Sequence, residues 1–390
     1  MSRRQSELGF LTIDLEALAA NWRLLSERAR LGSGGSCDVA GVVKANGYGI
    51  GARLAVPALQ RAGCKTFFVA TPDEAFGLID LIEPPQRLFL LSGLPAGEGA
   101  EALARELLEA GIRPVLNDPE MIARWSAVCL KANRRGPAAL HFDTGMTRLG
   151  LTPLEARDLI RDRAPLGPMV PELLMTHPAC ADEPDHALNA AQRQAFLDYG
   201  RQFPDLPLSY CNSSALFGPS EQFLDLARPG IALYGGNPTP WTDNPMHPVV
   251  RLRAKVLQIR QIDTPKPVGY GATHMAAPGQ RLATVGVGYA DGLLRSLSGR
   301  GMGVLGGVLV PMVGRVSMDL IVFDVSAVPE NLAHPGALID LIGPGHSLDD
   351  LAAEAGTIPY EILTSLGARY ARAVLPDQAA GAAAATGADA

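Results

Sequence analysis

Short apolar segments alternate with longer amphipathic segments between residues 39 and 235. The amphipathic segments, such as EGAEALARELLEAG, have the spacing of helices that bury one face, and TIDLEALAANWRLLSERA predicts a further helix before them. Strands that alternate with helices predict an α/β fold, here an eight-stranded parallel (β/α)8 barrel of the TIM type. An open doubly wound sheet is the alternative, because a strand count does not establish closure. The eight apolar segments are VAGVVKA, TFFVA, RLFLLSG, RPVLN, AALHFDTG, PELLMTH, LSYCNSS and DLARPGIALYG.

Three of the predicted helices have recognisable start sequences, namely TPDEA at 71, DPEM at 118 and TPLEA at 152. Each begins with Thr or Asp, whose side chain can accept a hydrogen bond from a free backbone N–H of the first turn. Proline and an acidic residue follow, and both are favoured in that turn.

The pattern changes after about residue 245. The segment VVRLRAKVLQIRQID alternates apolar and polar residues and then changes phase near Leu257, as at a β-bulge. RLATVGVGYADG, GVLVPMVGRVSMDLIVFDV and ALIDLIG follow, with one helix at SLDDLAAEAG. We therefore predict a barrel domain over residues 1–245 and a mostly antiparallel β domain over 246–376. About the first ten residues are expected to pack on the second domain, and the alanine-rich tail 377–390 is expected to be disordered.

Composition narrows the function classes. The 390 residues carry a net charge of −6, which gives no basic footprint for nucleic acid. No apolar run reaches the about 18 residues of a membrane helix, and MSRRQSELGF lacks the apolar core of a secretory signal. The five cysteines are scattered without a C-x-x-C pair, which favours a reducing compartment over disulfides or a zinc site. We predict a cytoplasmic enzyme without metal, membrane or nucleic-acid partners.

Polar residues recur where the predicted strands end, which is where barrel enzymes place their chemistry. Lys44 follows the apolar GVV, so its amine is expected to emerge in a sheltered cavity and to lose its proton more easily than in water. A neutral amine can condense with an aldehyde. The glycines of GVVKANGYGIG would let the backbone approach a bulky ligand. The other polar strand ends are DTGMTR (143–148), His177, CNSS (211–214) and RPGIALYG (228–235).

Seven motifs resemble those of the bacterial alanine racemases, in the same order: VVKANGYGIG, HFDTGMTRLG, MTHPACADE, RPGIALYG, VGYGATH, VGYADG and GRVSMD. The resemblance extends from about residue 8 to about residue 372. It implies an eight-stranded α/β barrel followed by a β domain, pyridoxal 5′-phosphate as cofactor, and a head-to-tail homodimer with shared active sites. The implied reaction interconverts L-alanine and D-alanine, and the product D-alanine would supply peptidoglycan.

The resemblance also implies two catalytic bases. Lys44 matches the lysine that holds the cofactor as an imine, and Tyr270 matches a tyrosine that enters from the partner subunit. Inverting an α-carbon requires proton removal on one face and delivery on the other, so each base would serve one enantiomer. A phenol has a reference pKa of about 10 and needs a lowered value to act as a base. His177 and Arg228 match a hydrogen-bond chain that could lower it.

The resemblance assigns the remaining binding roles. Arg228 matches the residue that faces the pyridine nitrogen, where a permanent donor leaves that nitrogen unprotonated and weakens electron withdrawal. Arg148 and the backbone amide of Met318 from the partner match contacts to the substrate carboxylate, and Tyr289 matches a tyrosine that narrows the entrance. The implied phosphate contacts are Tyr48, Ser213, the backbone amides of Gly230 and Ile231, and Tyr360.

One position departs from the family pattern. Many members carry a carbamylated lysine two residues before the DTGM aspartate, where it holds the arginine that corresponds to Arg148; this chain has His141. The negative charge is therefore missing, or another acceptor or a bound anion replaces it. A neutral histidine can accept one hydrogen bond but brings no charge.

Three other functions are compatible with parts of this pattern. A racemase for serine, lysine or another amino acid would need only a different pocket volume. A diamino-acid decarboxylase shares the barrel and the β domain, but its glycine-rich phosphate loop and its cysteine motif are not evident here. A non-enzymatic pyridoxal phosphate carrier has the barrel alone and would lack Tyr270.

Overall fold

The computed structural model describes residues 7–375. The described chain opens with strand β1 (Gly9–Asp14) and helix α1 (Leu15–Gly32). Thr12–Asp14, predicted as the start of the first helix, instead complete β1, and Asp14 caps α1 by accepting a hydrogen bond from the amide of Ala17 at 2.9 Å. The predicted disordered tail, 377–390, lies outside the described residues.

Parallel strands alternate with helices in the first two thirds of the chain. Strands β3 to β9 form one parallel sheet in sequential order, and β2 pairs in parallel with β10. The sequential order has no reversal, which excludes a doubly wound sheet. The strands are β2 (Asp38–Val39), β3 (Gly41–Val42), β4 (Thr66–Val69), β5 (Arg87–Leu90), β6 (Arg113–Leu116), β7 (Gly136–His141), β8 (Met169–Met175), β9 (Leu208–Ser209) and β10 (Leu226–Ala227).

The connecting helices begin where the capping sequences predict. Thr71 and Thr152 each form a capping box with the acid three residues later, and Asp118 accepts a hydrogen bond from the amide of Met121 at 2.7 Å. The helices are the five-residue turn α2 (Lys44–Tyr48), α3 (Ala52–Ala62), α4 (Pro72–Phe76), α5 (Ala100–Ala110), α6 (Pro119–Lys131), α7 (Pro153–Arg161) and α8 (Ala187–Gly200). Helices α5 and α6 pack against β6, and strands such as β4 are buried on both faces.

Strand β1 and most of the strands after residue 249 form an eight-stranded sheet in the order β14-β17-β16-β15-β18-β11-β1-β19, in which β1–β19 is the parallel pair. Strands β12 and β13 form a separate antiparallel pair. The predicted phase change near Leu257 is confirmed by a register shift between Val256 and Gln258. The elements are β11 (Val250–Gln261), β12 (Lys266–Val268), β13 (His274–Ala276), β14 (Arg281–Val285), β15 (Met302–Leu305), β16 (Val308–Val313), β17 (Ile321–Asp324), β18 (Leu338–Ile342), α9 (Leu348–Ala355), α10 (Pro359–Ser365) and β19 (Ala371–Leu375).

This architecture confirms the coarse prediction of parallel strands alternating with helices, followed by a mostly antiparallel β domain. The two parts meet close to α2. Gly49, which ends α2, has φ +82° and ψ −11°, and a Cβ at this position would lie 2.3 Å from the carbonyl oxygen of Leu363 in α10. Arg372 of β19 donates a hydrogen bond to the carbonyl oxygen of Gly49 at 2.8 Å.

We predict that Gly49→Ala destabilises the protein much more than the left-handed φ angle at this position would by itself. Gly99 has nearly the same backbone angles, φ +79° and ψ −2°, and a Cβ there would meet no atom within 4 Å, so Gly99→Ala is the matched control. The control should lower the free energy of unfolding by about 1 kcal/mol, and Gly49→Ala by at least about 2 kcal/mol more, because of the clash with Leu363. Denaturant titration measures both. Equal losses would contradict the close contact.

Candidate active site

A cavity of about 480 Å³ lies at the C-terminal ends of the parallel strands. Its volume is in the range of about 300 to 1,000 Å³ that is typical of small-molecule sites. His141, at the end of β7, is part of its wall. The wall also contains most of the residues predicted from the sequence: Lys44, Tyr48, Arg148, His177, Ser213, Arg228, Gly230 and Tyr360.

The turn α2 places Lys44 and Tyr48 in the cavity wall. Its residues from Ala45 to Tyr48 have left-handed φ angles of 52° to 62°. This conformation costs about 1–2 kcal/mol for each residue other than glycine. The carboxylate of Glu74 accepts a hydrogen bond from the amide of Ala45 at 2.6 Å and so holds the strained backbone. Sequence reasoning missed this role of Glu74, although TPDEA contains it.

The amine of Lys44 lies in surroundings that disfavour its charge. Burial, and then the positive charge of Arg148, lower the pKa of Lys44 below its usual value, and the charge of Glu74 opposes them. A lysine with a lowered pKa holds more of the neutral, nucleophilic form at neutral pH. Lys44 is therefore suited to covalent chemistry with a carbonyl.

Arg228 is 5% exposed and is held by neutral acceptors. It donates hydrogen bonds to the hydroxyl of Ser209, to the carbonyl oxygen of Thr176 at 2.6 Å and to Nδ1 of His177 at 3.4 Å. Burial lowers the pKa of Arg228 to about 10, so it stays charged at neutral pH. Because arginine only donates, Nδ1 of His177 accepts and the ring proton is on Nε2. Burial, followed by the charge of Arg228, holds the pKa of His177 well below its usual value.

Hydroxyl and amide groups converge on a second part of the cavity. The hydroxyl oxygen of Ser213 accepts hydrogen bonds from the amides of Gly230 at 2.9 Å and Ala232 at 3.3 Å, which leaves the hydroxyl proton free to be donated. Ile231 lies between these two residues in the sequence. It is buried and begins a 3₁₀ turn that ends at Tyr234.

Three tyrosines lie around this part of the cavity. Tyr48 stacks on Tyr234 with a centroid distance of 4.5 Å, and the ring of Tyr360 is 5.9 Å from that of Tyr48. A Cβ on Gly230 would lie 2.0 Å from the hydroxyl oxygen of Tyr48, so only glycine fits. Burial raises the pKa of Tyr48 and raises that of Tyr360 to about 12, so both hydroxyls stay protonated and can donate.

Arg148 extends from a tight turn after β7. One carboxylate oxygen of Asp143 accepts hydrogen bonds from the amides of Gly145, Met146 and Thr147 at 2.9, 3.0 and 3.1 Å. Thr147 has φ +54°, so this carboxylate stabilises an unusual backbone immediately before Arg148. Asp143 therefore shapes the turn.

Two buried amide side chains support the site and were not singled out from the sequence. Gln192 donates hydrogen bonds to the hydroxyl of Thr144 at 3.2 Å and to the carbonyl oxygen of His177 at 3.1 Å. The amide oxygen of Asn117 lies 2.7 Å from Nδ1 of His141. Asn117 ends the predicted strand RPVLN, so its position at a strand end was a signal that could have identified it.

Tyr270, Tyr289 and Met318 lie outside this cavity. They are 73%, 43% and 53% exposed on the antiparallel domain. Tyr270 begins the 3₁₀ turn between β12 and β13. The segments of Tyr289 and Met318 are adjacent, because the amide of Ala290 donates a hydrogen bond to the carbonyl oxygen of Met318 at 3.0 Å. The structure thus brings together the predicted residues of the parallel domain and Tyr360 of α10, but not these three.

The described residues lack the features of two other kinds of site. Between residues 7 and 375, no helix combines the length and apolar character needed to cross a membrane. Over the same range, no three His, Cys, Asp or Glu side chains are grouped so that they could hold a metal ion.

Comparisons with known proteins identify the family. The profile described as alanine racemase, N-terminal domain, matches residues 13–238, and the alanine racemase C-terminal domain profile matches 249–374. The alanine racemase of Rhodospirillum rubrum is 58% identical over 95% of this chain and 97% of its own, and that of Acidiphilium cryptum is 50% identical over 93% and 98%. The crystal structure of the Bartonella henselae alanine racemase with covalently bound pyridoxal phosphate is 38% identical and has a TM-score of 0.88, covering 94% of this chain and 99% of that one. The chain therefore belongs to the alanine racemase family.

Proposed function

We propose that this chain is an alanine racemase that interconverts L-alanine and D-alanine with pyridoxal 5′-phosphate as its cofactor. The observation that carries the proposal is the pairing, in one cavity, of Lys44 with a lowered pKa and the buried Arg228–His177 pair. A lysine of this kind suits a carbonyl group of the cofactor, and family membership supports the same reaction.

The residues of the cavity fit this cofactor. Lys44 would hold its aldehyde carbon covalently, and Arg228 would face the pyridine nitrogen as a charged donor. The phosphate would be bound by donors that the structure leaves protonated, with Gly230 leaving the space that Tyr48 needs. When bound, the conjugated ring makes the α-hydrogen of the amino acid acidic enough to be transferred. The proposed phosphate contacts are Tyr48, Ser213, Tyr360 and the backbone amides of Gly230 and Ile231, of which the amide of Gly230 would exchange its bond to Ser213 for one to the phosphate.

Two groups would move the proton on opposite faces of the substrate. The amine of Lys44 would accept or donate it on one face, and the phenol of Tyr270 on the other. Tyr270 is 73% exposed and is not part of the cavity of its own chain, so a second copy would supply it. The neutral His177, held by Arg228, carries its proton on Nε2 and would support the phenolate form of that tyrosine.

A symmetric homodimer would complete two identical sites. Tyr270, Tyr289 and Met318 are large side chains exposed on the antiparallel domain, and the segments of Tyr289 and Met318 are adjacent, as expected of residues that a second chain covers. In a two-fold dimer, each contact occurs twice: a residue of the first chain that meets the second chain has an equivalent in the second chain that meets the first in the same way. We place the backbone amide of Met318 and the guanidinium of Arg148 at the substrate carboxylate, and Tyr289 at the entrance.

Finer features of the fold belong to the same proposal. The amide of Asp225 donates to the carbonyl of Leu208 at 3.0 Å, and that of Arg228 to the carbonyl of Cys211 at 2.8 Å. These bonds link β9 to β10 and, with β2 and β3 counted as one strand, support closure of all eight strands into a complete barrel. We further propose a domain division between residues 245 and 246, and a cytoplasmic location in which the product D-alanine supplies peptidoglycan.

We predict that borohydride reduction of the cofactor-loaded protein attaches the cofactor to Lys44, as located by peptide mass spectrometry. Lys44→Ala should abolish this adduct and lower the racemisation rate at least about 10³-fold, because the nucleophile and one base are lost. The exposed Lys65 offers a control, and Lys65→Ala should keep both the adduct at Lys44 and the racemisation rate. An adduct at any other lysine, with Lys44 unmodified, would refute the proposed site.

Mixed dimers test whether the sites are shared. Lys44→Ala and Tyr270→Phe chains should each be inactive alone. After subunit exchange, half of the dimers are mixed and each contains one intact site, so about one quarter of the wild-type activity should return. Lys44→Ala chains exchanged with the Lys44→Ala/Tyr270→Phe double variant are the control and should show no recovery. If native mass spectrometry shows full exchange and activity stays absent, Tyr270 does not act across the dimer.

A further inference from the structure

The orientation of the buried Asn117 amide is determined by its neighbours. Asn117 is 3% exposed, and its side-chain nitrogen donates hydrogen bonds to the carbonyl oxygens of Val115 at 3.0 Å and Leu91 at 3.3 Å. A flipped amide would put its oxygen against two carbonyl oxygens and leave a nitrogen facing His141. The amide oxygen of Asn117 therefore faces His141, and it can only accept.

This orientation fixes the tautomer of His141. Nδ1 lies 2.7 Å from the amide oxygen of Asn117, so Nδ1 carries the proton and donates it. The charged and titratable groups around the ring are Arg228, Arg148, Asp143 and His177. Burial, followed by the charge of Arg228, lowers the pKa of His141 to about 4, so the ring is neutral at neutral pH and Nε2 has a free lone pair.

The lone pair of Nε2 of His141 and the guanidinium of Arg148 are both available to form a hydrogen bond. His141 and Arg148 are in the wall of the same cavity. Within the described residues, Nε2 of His141 forms no hydrogen bond, and Arg148 forms neither a hydrogen bond nor an ion pair. Arginine has five N–H donors and no acceptor, so a nitrogen lone pair is a matching partner. The charge of Arg148 is close enough to contribute to the lowered pKa of His141.

We infer that Asn117 and His141 form a positioning pair, in which Nε2 of His141 accepts an N–H of Arg148 and aims the guanidinium at the substrate carboxylate. The inference rests on the proposed function for the identity of that carboxylate. A neutral acceptor orients Arg148 without neutralising it, whereas a carboxylate or carbamate would pair with its charge. The substrate carboxylate therefore meets an arginine that keeps its full charge. Neither Asn117 nor His141 exchanges a proton with the substrate.

Two substitutions of His141 distinguish the contributions of its two ring nitrogens. The amide nitrogen of His141→Asn reproduces Nδ1–H and keeps the bond to Asn117 but removes the acceptor at the Nε2 position. The amide oxygen of His141→Gln reaches the Nε2 position and keeps the acceptor. His141→Asn should raise KM for alanine about tenfold or more with a smaller change in kcat, because one hydrogen bond to a charged group is lost. His141→Gln should stay close to the wild type. Equal KM values in all three proteins would overturn the inference.

A second measurement does not depend on activity. In protein with ¹⁵N-labelled histidine, identified by difference from His141→Asn, NMR should show His141 protonated at Nδ1 and unprotonated at Nε2 at neutral pH. This form should persist until the pH falls to about 4. Asn117→Leu should reduce the preference for the Nδ1–H form. A proton on Nε2 in the wild type would overturn the inference. If the expected tautomer is found but the protein does not racemise alanine, the proposed function fails and the tautomer assignment stands.

Discussion

The hydrogen bond from the amide of Ala45 to the carboxylate of Glu74 is the contact on which the site depends. It holds a left-handed turn that L-residues avoid, at a cost of about 1–2 kcal/mol for each residue other than glycine. The amide of Gly47 also donates to the carbonyl of Val43, and that of Gly49 to the carbonyl of Ala45, both at 2.8 Å. With this turn in place, a buried strand delivers an amine and, four residues later, a phenol to the same cavity.

The same cavity concentrates positive charge, and its wall contains no Asp or Glu among the described residues. Lys44, Arg148 and Arg228 are in its wall, and Arg228 is bound by a hydroxyl, a carbonyl and an imidazole. Burial, followed by the positive charges of Arg148 and Arg228, lowers the pKa of Lys44 and of both histidines. A ligand with phosphate and carboxylate groups would relieve this accumulation of charge, because opposite charges in a desolvated site attract strongly. His141 carries no charge at neutral pH either, because burial, followed by the charge of Arg228, lowers its pKa to about 4.

Most of the residues in the cavity wall could be predicted from the sequence, whereas the supporting residue Asn117 was missed. Lys44, His177, Ser213 and Arg228 all follow apolar strands, and parallel strands bring such positions to one edge. Asn117 also follows a strand, yet its role became visible only with the 2.7 Å contact to His141. The functional roles of Tyr270, Tyr289 and Met318 remain predictions, since a single chain does not contain the surface that these residues would meet.

The sequence by itself determined the alternation of strands and helices, the helix starts at Thr71, Asp118 and Thr152, and the bulge near Leu257. Each of these depends on residues within a few positions of one another, through periodicity or a local hydrogen bond. Only the tertiary structure decided the left-handed turn after Lys44 and the tautomer of His141. Those features depend on partners brought close by folding from 24 or more positions away, and no local pattern specifies them.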